Sequence, residues 1–291
     1  MALHIGTAGW SYPDWRGTVY PASRKTGFNE LSYIAAFFNT IEINTTFYRI
    51  PAQAMVENWA ARVQKHKNFK FCVKLWNAFT HGEEIPSRDT VKQFKDALSP
   101  LEQAGKMGVL LVQFPWRFKK DKKNIKHLLE VTSQFDCFTT VVEFRHASWM
   151  DRMALDLLRD TSLAFANIDQ PVIGRSIPLT AHVTAPVTYL RLHGRNYKTW
   201  FAKDSGRDAR YDYLYSESEI ESWRPTIESL TSQSEQTFII FNNHFRGQAV
   251  VNALQLKAKL GNTRVGVPVD LIQNYPQLEK IKNNDEQATL F

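Results

Sequence analysis

Eight short apolar stretches, seven of them followed by a run of helical periodicity, set the strongest limit on what this chain can fold into. Side chains along a strand alternate between faces with period two, whereas an amphipathic helix repeats its apolar positions every three or four residues. On that basis strands are predicted at Leu3 to Gly6, Thr40 to Asn44, Phe69 to Leu75, Gly108 to Phe114, Thr140 to Arg145, Leu163 to Ile168, Val187 to His193 and Thr237 to Asn242. Helices are predicted at about Asn29 to Phe38, Ala52 to Gln64, Thr90 to Gln103, Asn124 to Ser133, Asp151 to Asp160, Ser218 to Leu230 and Gln248 to Leu260. After the sixth strand, QPVIGRSIPLTAHVTAP carries too many prolines and β-branched residues for a helix and is expected to be irregular. Such alternation implies parallel strands joined by right-handed crossovers, and eight units in 291 residues fit an α/β TIM-like (β/α)8 barrel. The alternative is an open doubly wound sheet. Against it, the first strand runs into GTAGWSY and not into a compact glycine fingerprint that opens a helix. One barrel domain over residues 1–282, followed by a polar tail over 283–291, is the expected organisation.

Within the predicted strands, polar residues keep to one parity. Glu42 and Asn44 alternate with Ile41 and Ile43, Lys74 with Val73 and Leu75, Glu143 and Arg145 with Val142 and Phe144. The same split places Asn167 and Asp169 against Ala166 and Ile168, and Arg191 and His193 against Leu190 and Leu192; Gln113 and Asn242 join the polar set. In a barrel the continuous apolar face meets the helix shell, so the polar face is expected to look into the lumen and crowd toward the C-terminal mouth, where barrel active sites lie. One such group, Glu143 with Arg145, reads equally as a structural ion pair, because an unpaired charge costs several kcal/mol to bury. Convergence from several strands carries the functional reading. Glu143, His193, Asp169, Glu42 and Lys74 are the candidate catalytic residues, with Glu143 or His193 as general base and Lys74 as an anion ligand or an acid. Arg145 and Arg191 are expected to grip an anion through their guanidinium forks. Asn44, Trp10, Tyr12, Arg195 and Asn242 complete the expected substrate-binding set.

Glu42, Glu143 and Asp169, with His193 and His146, are ligand types that hold a divalent ion. No HxH or HExxH spacing is present, and Lys74, Arg145 and Arg191 on the same face would repel a cation. No bound metal and no cofactor are therefore expected. The net charge of +7 favours anionic partners, although it also aids solubility. Cys72 and Cys137 match neither a metal spacing nor a disulfide framework, as expected of a reducing cytoplasm. The start MALHIGTAG has no charged region leading into an apolar run, and no stretch reaches the length of a membrane span, so a soluble cytoplasmic protein without a membrane partner is expected.

Several distinctive blocks occur in a fixed order: GTAGWSYPDWRG, TIEINTTFYRIP, a strand ending in Lys74 before FTH, VVEFRHASW, YLRLHGR and FNNHFRGQAVVNA. Together they cover nearly the whole chain and resemble the YecE-like proteins, catalogued as domain of unknown function 72. That resemblance implies a TIM-like barrel similar in overall shape to endonuclease IV and xylose isomerase, and it implies no particular reaction. FNNHFRG places His244 where the resemblance leads to an expectation of an acidic or another small polar residue.

The loops add cations and rings. WRFKKDKKNIKH supplies Arg117, Lys119, Lys120, Lys122, Lys123 and Lys126 after the fourth strand. GRNYKTWFAKDSGRDARYDY after the seventh interleaves Arg195, Lys198, Lys203, Arg207 and Arg210 with Tyr197, Trp200, Phe201, Tyr211 and Tyr213. Trp10, Tyr12, Trp15 and Arg16 come from the first loop. Cations that track phosphates and rings that stack bases make up a single-strand or flipped-base site. The lysine run reads equally as a solvated helix start, and the first-loop rings as a lid packed on the barrel. The leading expectation is a nucleic-acid-associated, phosphodiester-processing barrel that takes an anionic or phosphorylated substrate at its mouth. The alternatives are an isomerase or hydrolase of a sugar-like molecule and a binding module without turnover. Finally, NNDEQATLF resembles the short peptide by which bacterial replication and repair proteins bind the sliding clamp. Gln287 would supply amide hydrogen bonds and Leu290 and Phe291 would enter an apolar pocket, with Ala288 in place of the commoner leucine; packing of the two apolar residues on their own barrel is the alternative.

Overall fold

Eight parallel strands close into a barrel in chain order in the computed structural model, which describes residues 1–200, 202 and 206–283. The strands are β1 (Ala2–Ala8), β2 (Thr40–Ile43), β3 (Lys70–Lys74), β4 (Met107–Gln113), β5 (Thr140–Glu143), β6 (Ala164–Asp169), β7 (Val187–Leu192) and β8 (Gln236–Phe241), and β8 pairs back onto β1. The shell holds α1 (Glu30–Ile34), α2 (Gln53–Arg62), α3 (Arg88–Gln103), α4 (Lys122–Ser133), α5 (Arg152–Asp160), α6 (Gly206–Ala209), α7 (Glu217–Ser222), α8 (Arg224–Ser232), α9 (Gln248–Gly261) and α10 (Val269–Asn274). Side chains cap the first turns: Ser87 accepts from the Thr90 amide, Asp121 from Asn124, and Asp151 from Ala154, which satisfies donors that have no partner inside the helix. The longer shell helices turn an apolar face to the strands, and α9 is buried nearly all round from Ala249 to Leu256. On α3 that face is Val91, Phe94, Ala97, Leu98 and Leu101.

Register decides which side chains face the lumen. Glu42 lies beside Cys72, Lys74 beside Leu111, Gln113 beside Glu143, and Ile168 beside Arg191. Neighbours in register share a face, and the Tyr189 hydroxyl donates to Glu42 Oε2 at 2.7 Å from β7 to β2, across the barrel. That face is therefore the lumen. The expected parity holds on β2, β3, β5 and β7 but is reversed on β6, where Ala166 and Ile168 face inward and Asn167 and Asp169 point to the shell. The cause is the irregular segment after β6, which has no helix and clings to the barrel through Asn167. This side chain donates to the His182 carbonyl at 2.9 Å and accepts from the His182 amide and the Thr180 hydroxyl at 2.8 Å each.

Two helix expectations also change. The run predicted from Ser218 to Leu230 is two helices, because Pro225 lacks the amide hydrogen that would continue the ladder through Trp223. The first helix is shorter than its periodicity, ending at Ile34. Lys203 and Phe201 of the loop after β7, and Gln287, Leu290 and Phe291 of the tail, lie outside the described residues. Among the described residues no helix is long and apolar enough to cross a membrane.

At the β1–β2 contact, Gly6 pairs with Thr40, and a Cβ on Gly6 would lie 1.8 Å from the Thr40 carbonyl oxygen. Backbone on backbone cannot yield as a flexible side chain does. Gly6→Ala is expected to cost more than about 3 kcal/mol, measured by urea unfolding.

Candidate functional site

Four strands, β2, β3, β5 and β7, send charged side chains to the C-terminal end of the lumen. Arg191, 2% exposed, donates from Nη2 to Glu42 Oε1 at 2.6 Å, from Nε to Glu42 Oε2 at 2.9 Å, and from Nη1 to Glu143 Oε2 at 3.2 Å. Arg145 meets Glu143 Oε1 at 2.6 Å through Nη2 and donates from Nη1 to Gln170 Oε1 at 2.6 Å. Burial by itself would raise the Glu143 carboxyl, but the guanidinium groups of Arg145 and Arg191 overcome it and hold it well below the usual carboxylate range. The carboxylates in turn raise Arg191 against its own burial. His193 accepts at Nδ1 from Asn242 Nδ2 at 2.9 Å, so its proton sits on Nε2, 3.6 Å from Glu143 Oε1. Burial, with Arg145 and Arg191 nearby, pushes His193 well below its usual range, and the ring is neutral. Two arginines and two glutamates thus balance in charge.

Lys74 stands outside that balance. It is 8% exposed, and among the described residues its Nζ makes no hydrogen bond; its contact is the face of Phe47, 3.9 Å from the ring centroid. Burial first, then Arg191, lower it to about 7, against the opposing pull of Glu143 and Glu42. The shift corresponds to about 5 kcal/mol against the ammonium form. A cation–π contact contributes about 0.5–2 kcal/mol, so desolvation wins. The neighbouring His81, edge-on to Phe47 at 5.1 Å, is lowered to about 4 by burial and then by Lys74.

Lys74 lines a cavity of about 290 Å³ at the barrel mouth. Its polar wall is Asn44, Gln113, Arg145, Arg191 and Asn242, each at the C-terminal end of its strand or just beyond. Trp10, Tyr12, Phe47, Tyr48 and Tyr211 form the aromatic wall. Tyr12 stacks on His244 at 4.3 Å with its ring nearly parallel, and Tyr211 leans on the same imidazole at 5.0 Å. His244, for which the sequence offered no role, is therefore a ring in the wall. Among the buried polar atoms of the lining residues, Asn44 Oδ1 and Arg145 Nε have no hydrogen-bond partner among the described residues.

The structure brings together Glu42, Lys74, Glu143, Arg145, Arg191, His193, Asn44, Asn242, Trp10 and Tyr12, and separates two others. Asp169, on the outer parity of β6, accepts from Arg195 Nε and Nη2 at 2.9 and 2.8 Å and from the Tyr215 hydroxyl at 2.6 Å. Arg195 also reaches Glu219 at 3.1 Å. This group ties the segment after β7 to the barrel and lies apart from the cavity lining. Arg191, expected to grip an anion, directs Nε, Nη1 and Nη2 at Glu42 and Glu143 while it lines the cavity. His146 accepts from the Ser148 amide and stays out of the lumen network. Trp15 is fully buried and donates to the His244 carbonyl at 2.8 Å, so it packs as part of the lid. Among the described residues, no three or more His, Cys, Asp or Glu side chains are grouped to hold a metal ion. Sequence reasoning missed Tyr189, Phe47 and Gln170. Tyr189 shares the parity of Arg191 and was visible in that pattern; Phe47 and Gln170 lie past strand ends, where period two stops.

Around the mouth the lysine run is partly neutralised. Lys120 pairs with Asp151, Lys126 with Glu130 at 3.4 Å, and Arg117 donates to the His81 carbonyl at 2.9 Å. Lys122 and Lys123, at the start of α4, are exposed and make no ion pair among the described residues. Lys119 lies 6.0 Å over the ring of Trp116, which is 41% exposed.

The family model described as "Protein of unknown function DUF72" matches residues 4–277. UPF0759 protein YunF of Bacillus subtilis (strain 168) is 30% identical over 271 residues, covering 87% of this chain and 93% of that relative. UPF0759 protein YecE of Escherichia coli (strain K12) is 31% identical over 146 residues, covering 50% of this chain and 48% of its own length. Among solved structures, a DUF72 family protein from Thermotoga maritima superposes with a TM-score of 0.79 at 31% identity, covering 90% of this chain and 100% of that one. A DUF72 family protein from Enterococcus faecalis does so with a TM-score of 0.79 at 24% identity, covering 91% and 98%.

Proposed function

Since the chain belongs to the DUF72 family, whose description names no reaction, we propose from the geometry of the mouth that it binds a small polar molecule there and moves a proton on it through Lys74. The observation that carries this reading is an amine with no hydrogen bond among the described residues, beside a charge-balanced network, on the wall of a cavity of about 290 Å³. That volume is at the small end of ligand sites, roughly 300–1,000 Å³, and suits a monosaccharide or a short organic acid. Proton transfer is most efficient when the group titrates near the working pH, as a lysine lowered to about 7 does. Asn44, Gln113 and Asn242 orient hydroxyl or carbonyl groups, and the rings of Trp10, Phe47 and Tyr48 take an apolar face. Arg191 already holds two carboxylates through Nε, Nη1 and Nη2, which weakens it as a phosphate clamp and favours this reading over phosphodiester cleavage.

The test is thermal unfolding against free monosaccharides, their monophosphates and 2-oxo acids. A ligand at about 100 times its Kd adds about 2.7 kcal/mol to the folded state. One class is expected to raise Tm in the wild type and not in Asn44→Leu. No shift with any class, or a shift unchanged in that variant, removes the reading.

A nucleic-acid role remains the second reading, favoured by exposed Trp116 with Lys119 over its ring and by Lys122 and Lys123 at the same end of the barrel. A single nucleotide would enter the mouth while its backbone follows the start of α4. Single-stranded oligonucleotides should then bind with log K falling steeply with log salt. Lys122→Ala with Lys123→Ala should lower that slope by about 1.4, since each phosphate contact on a single strand contributes about 0.7. Binding that is absent at low salt, or indifferent to both substitutions, excludes it. The tail Gln287–Ala288–Thr289–Leu290–Phe291 supports a clamp partner on its sequence alone. The full chain is expected to retain the bacterial sliding clamp in a pull-down and a chain ending at Glu286 to lose it; equal retention by the two overturns the idea. Both cysteines are unpaired, which agrees with a cytoplasmic location.

A further inference from the structure

We propose that Lys74 is a covalent site, its amine condensing with the carbonyl carbon of a small aldehyde, ketone or 2-oxo acid held in the barrel mouth to form an imine. This deepens the proton-transfer reading and rests on the same cavity. The comparison that singles out Lys74 is with the other lysines held in this fold. Lys106, 5% exposed, donates to the carbonyls of His66 and Lys67 at 2.6 and 3.2 Å. Lys257 donates to the Phe37 carbonyl at 2.7 Å, and Lys70 to the Gly105 carbonyl at 2.8 Å. Each has an acceptor that holds its hydrogens and fixes it as a structural cation.

Lys74 has none among the described residues. The acceptors within its network, Glu42 and Glu143, are taken by Arg191 and Arg145, which reach them from β7 and from the end of β5. A nucleophile needs an unshared electron pair, and a lysine acquires one when it is desolvated beside other cations. Burial and Arg191 supply both conditions. A second, independent feature belongs to the same cavity: the Arg145 side chain, 13% exposed, lines it beside Lys74 and pairs with Glu143 at 2.6 Å. That guanidinium would stand beside an oxygen of the bound carbonyl compound. In the addition step the nitrogen pair attacks the carbonyl carbon and the C=O π electrons move to oxygen, giving a carbinolamine. The carbon–oxygen bond then breaks, the oxygen leaves as water with the two amine hydrogens, and a C=N bond remains.

The experiment incubates the full-length protein with pyruvate or glycolaldehyde in the presence of sodium borohydride, whose hydride reduces the imine to a stable secondary amine. The adduct mass equals the carbonyl compound less one oxygen, and peptide mapping of the wild-type protein locates it without any variant. The expected result is a single adduct on Lys74, whose rate rises about tenfold from pH 6 to pH 8 and then levels, while exposed lysines keep gaining about tenfold per pH unit. Lys74→Met should abolish that adduct. Adducts spread over exposed lysines with none on Lys74, or a Lys74 rate still climbing above pH 9, overturn the proposal. If a carbonyl compound raises Tm through Asn44 yet leaves no adduct, the imine falls and the non-covalent reading stands. If neither occurs, both fall.

Discussion

Arg191→Ala is expected to remove on the order of 5 kcal/mol of stability at pH 7, a loss comparable with the whole margin of many domains. The side chain is 2% exposed and supplies Glu42 with two of its three hydrogen bonds and Glu143 with one of its two guanidinium partners. Removing one partner of a buried pair typically costs about 3–5 kcal/mol, because the remaining charge stays desolvated. Here two carboxylates lose a partner at once. In the wild type the depressed Glu143 carboxyl contributes stability that is present above its ordinary range and lost as pH falls through its folded value. In the variant Glu143 loses Arg191, one of the two cations that depress it, so its folded value moves up and acidification relieves part of the deficit. The deficit against wild type should therefore be larger at pH 8 than at pH 4.5 in urea titrations. A loss below about 2 kcal/mol at both pH values would mean that water already solvates the network and that its charges are not held against each other by burial.

The second large effect has the opposite direction: Lys74→Met should stabilise the protein, and more so at neutral than at alkaline pH. A lysine whose folded value is lowered from 10.5 to about 7 binds fewer protons in the folded state than in the unfolded state throughout that interval. Wild-type stability therefore rises with pH across it, by at most about 1.4 kcal/mol per unit, and by about 3 kcal/mol from pH 7 to 9.5. Methionine carries no charge to desolvate and keeps the volume, so the variant lacks this contribution. Measuring the difference between the two proteins, and not the wild type alone, cancels the other titrating groups, among them the lowered Lys106 and Lys257 and the raised Tyr189 and Tyr215. The difference should shrink by about 3 kcal/mol between pH 7 and 9.5. A constant difference would show that Lys74 is solvated and remains an ordinary ammonium, and the proton-transfer and imine proposals would lose their basis together.

Much of the barrel was legible because its evidence is local. Period-two alternation sits within five or six residues, and where a strand has one apolar and one polar parity, burial leaves it one orientation. Glu42, Lys74, Glu143 and Arg191 were readable for that reason, with His193 following from strand seven. Strand six shows the same contrast with the opposite outcome, because Asn167 and Asp169 find polar partners outside the barrel in the segments after β6 and β7. Ala166 and Ile168 are apolar enough for the shell and small enough for the lumen, so polarity assigned Asn167 and Asp169 to the wrong side.

Local pattern was enough to place the strands and to put Glu42, Lys74, Glu143 and Arg191 on the inner face, and the count of eight strand–helix units pointed to a closed barrel. Tertiary structure alone decided how those charges divide. Whether Glu42 pairs with Lys74 on the adjacent strand or with Arg191 on β7 depends on distances across the lumen, and a guanidinium from β7 reaches Glu42 at 2.6 Å and Glu143 at 3.2 Å. One planar guanidinium grips Glu42 bidentately through Nε and Nη2 and reaches Glu143 through Nη1, a fork that the point-like ammonium of a lysine does not have. Register against β7 turned Asp169 toward Tyr215 and Arg195. With every buried carboxylate of the mouth occupied, Lys74 was left as a desolvated amine, a property of the closed barrel that no stretch of the chain contains by itself.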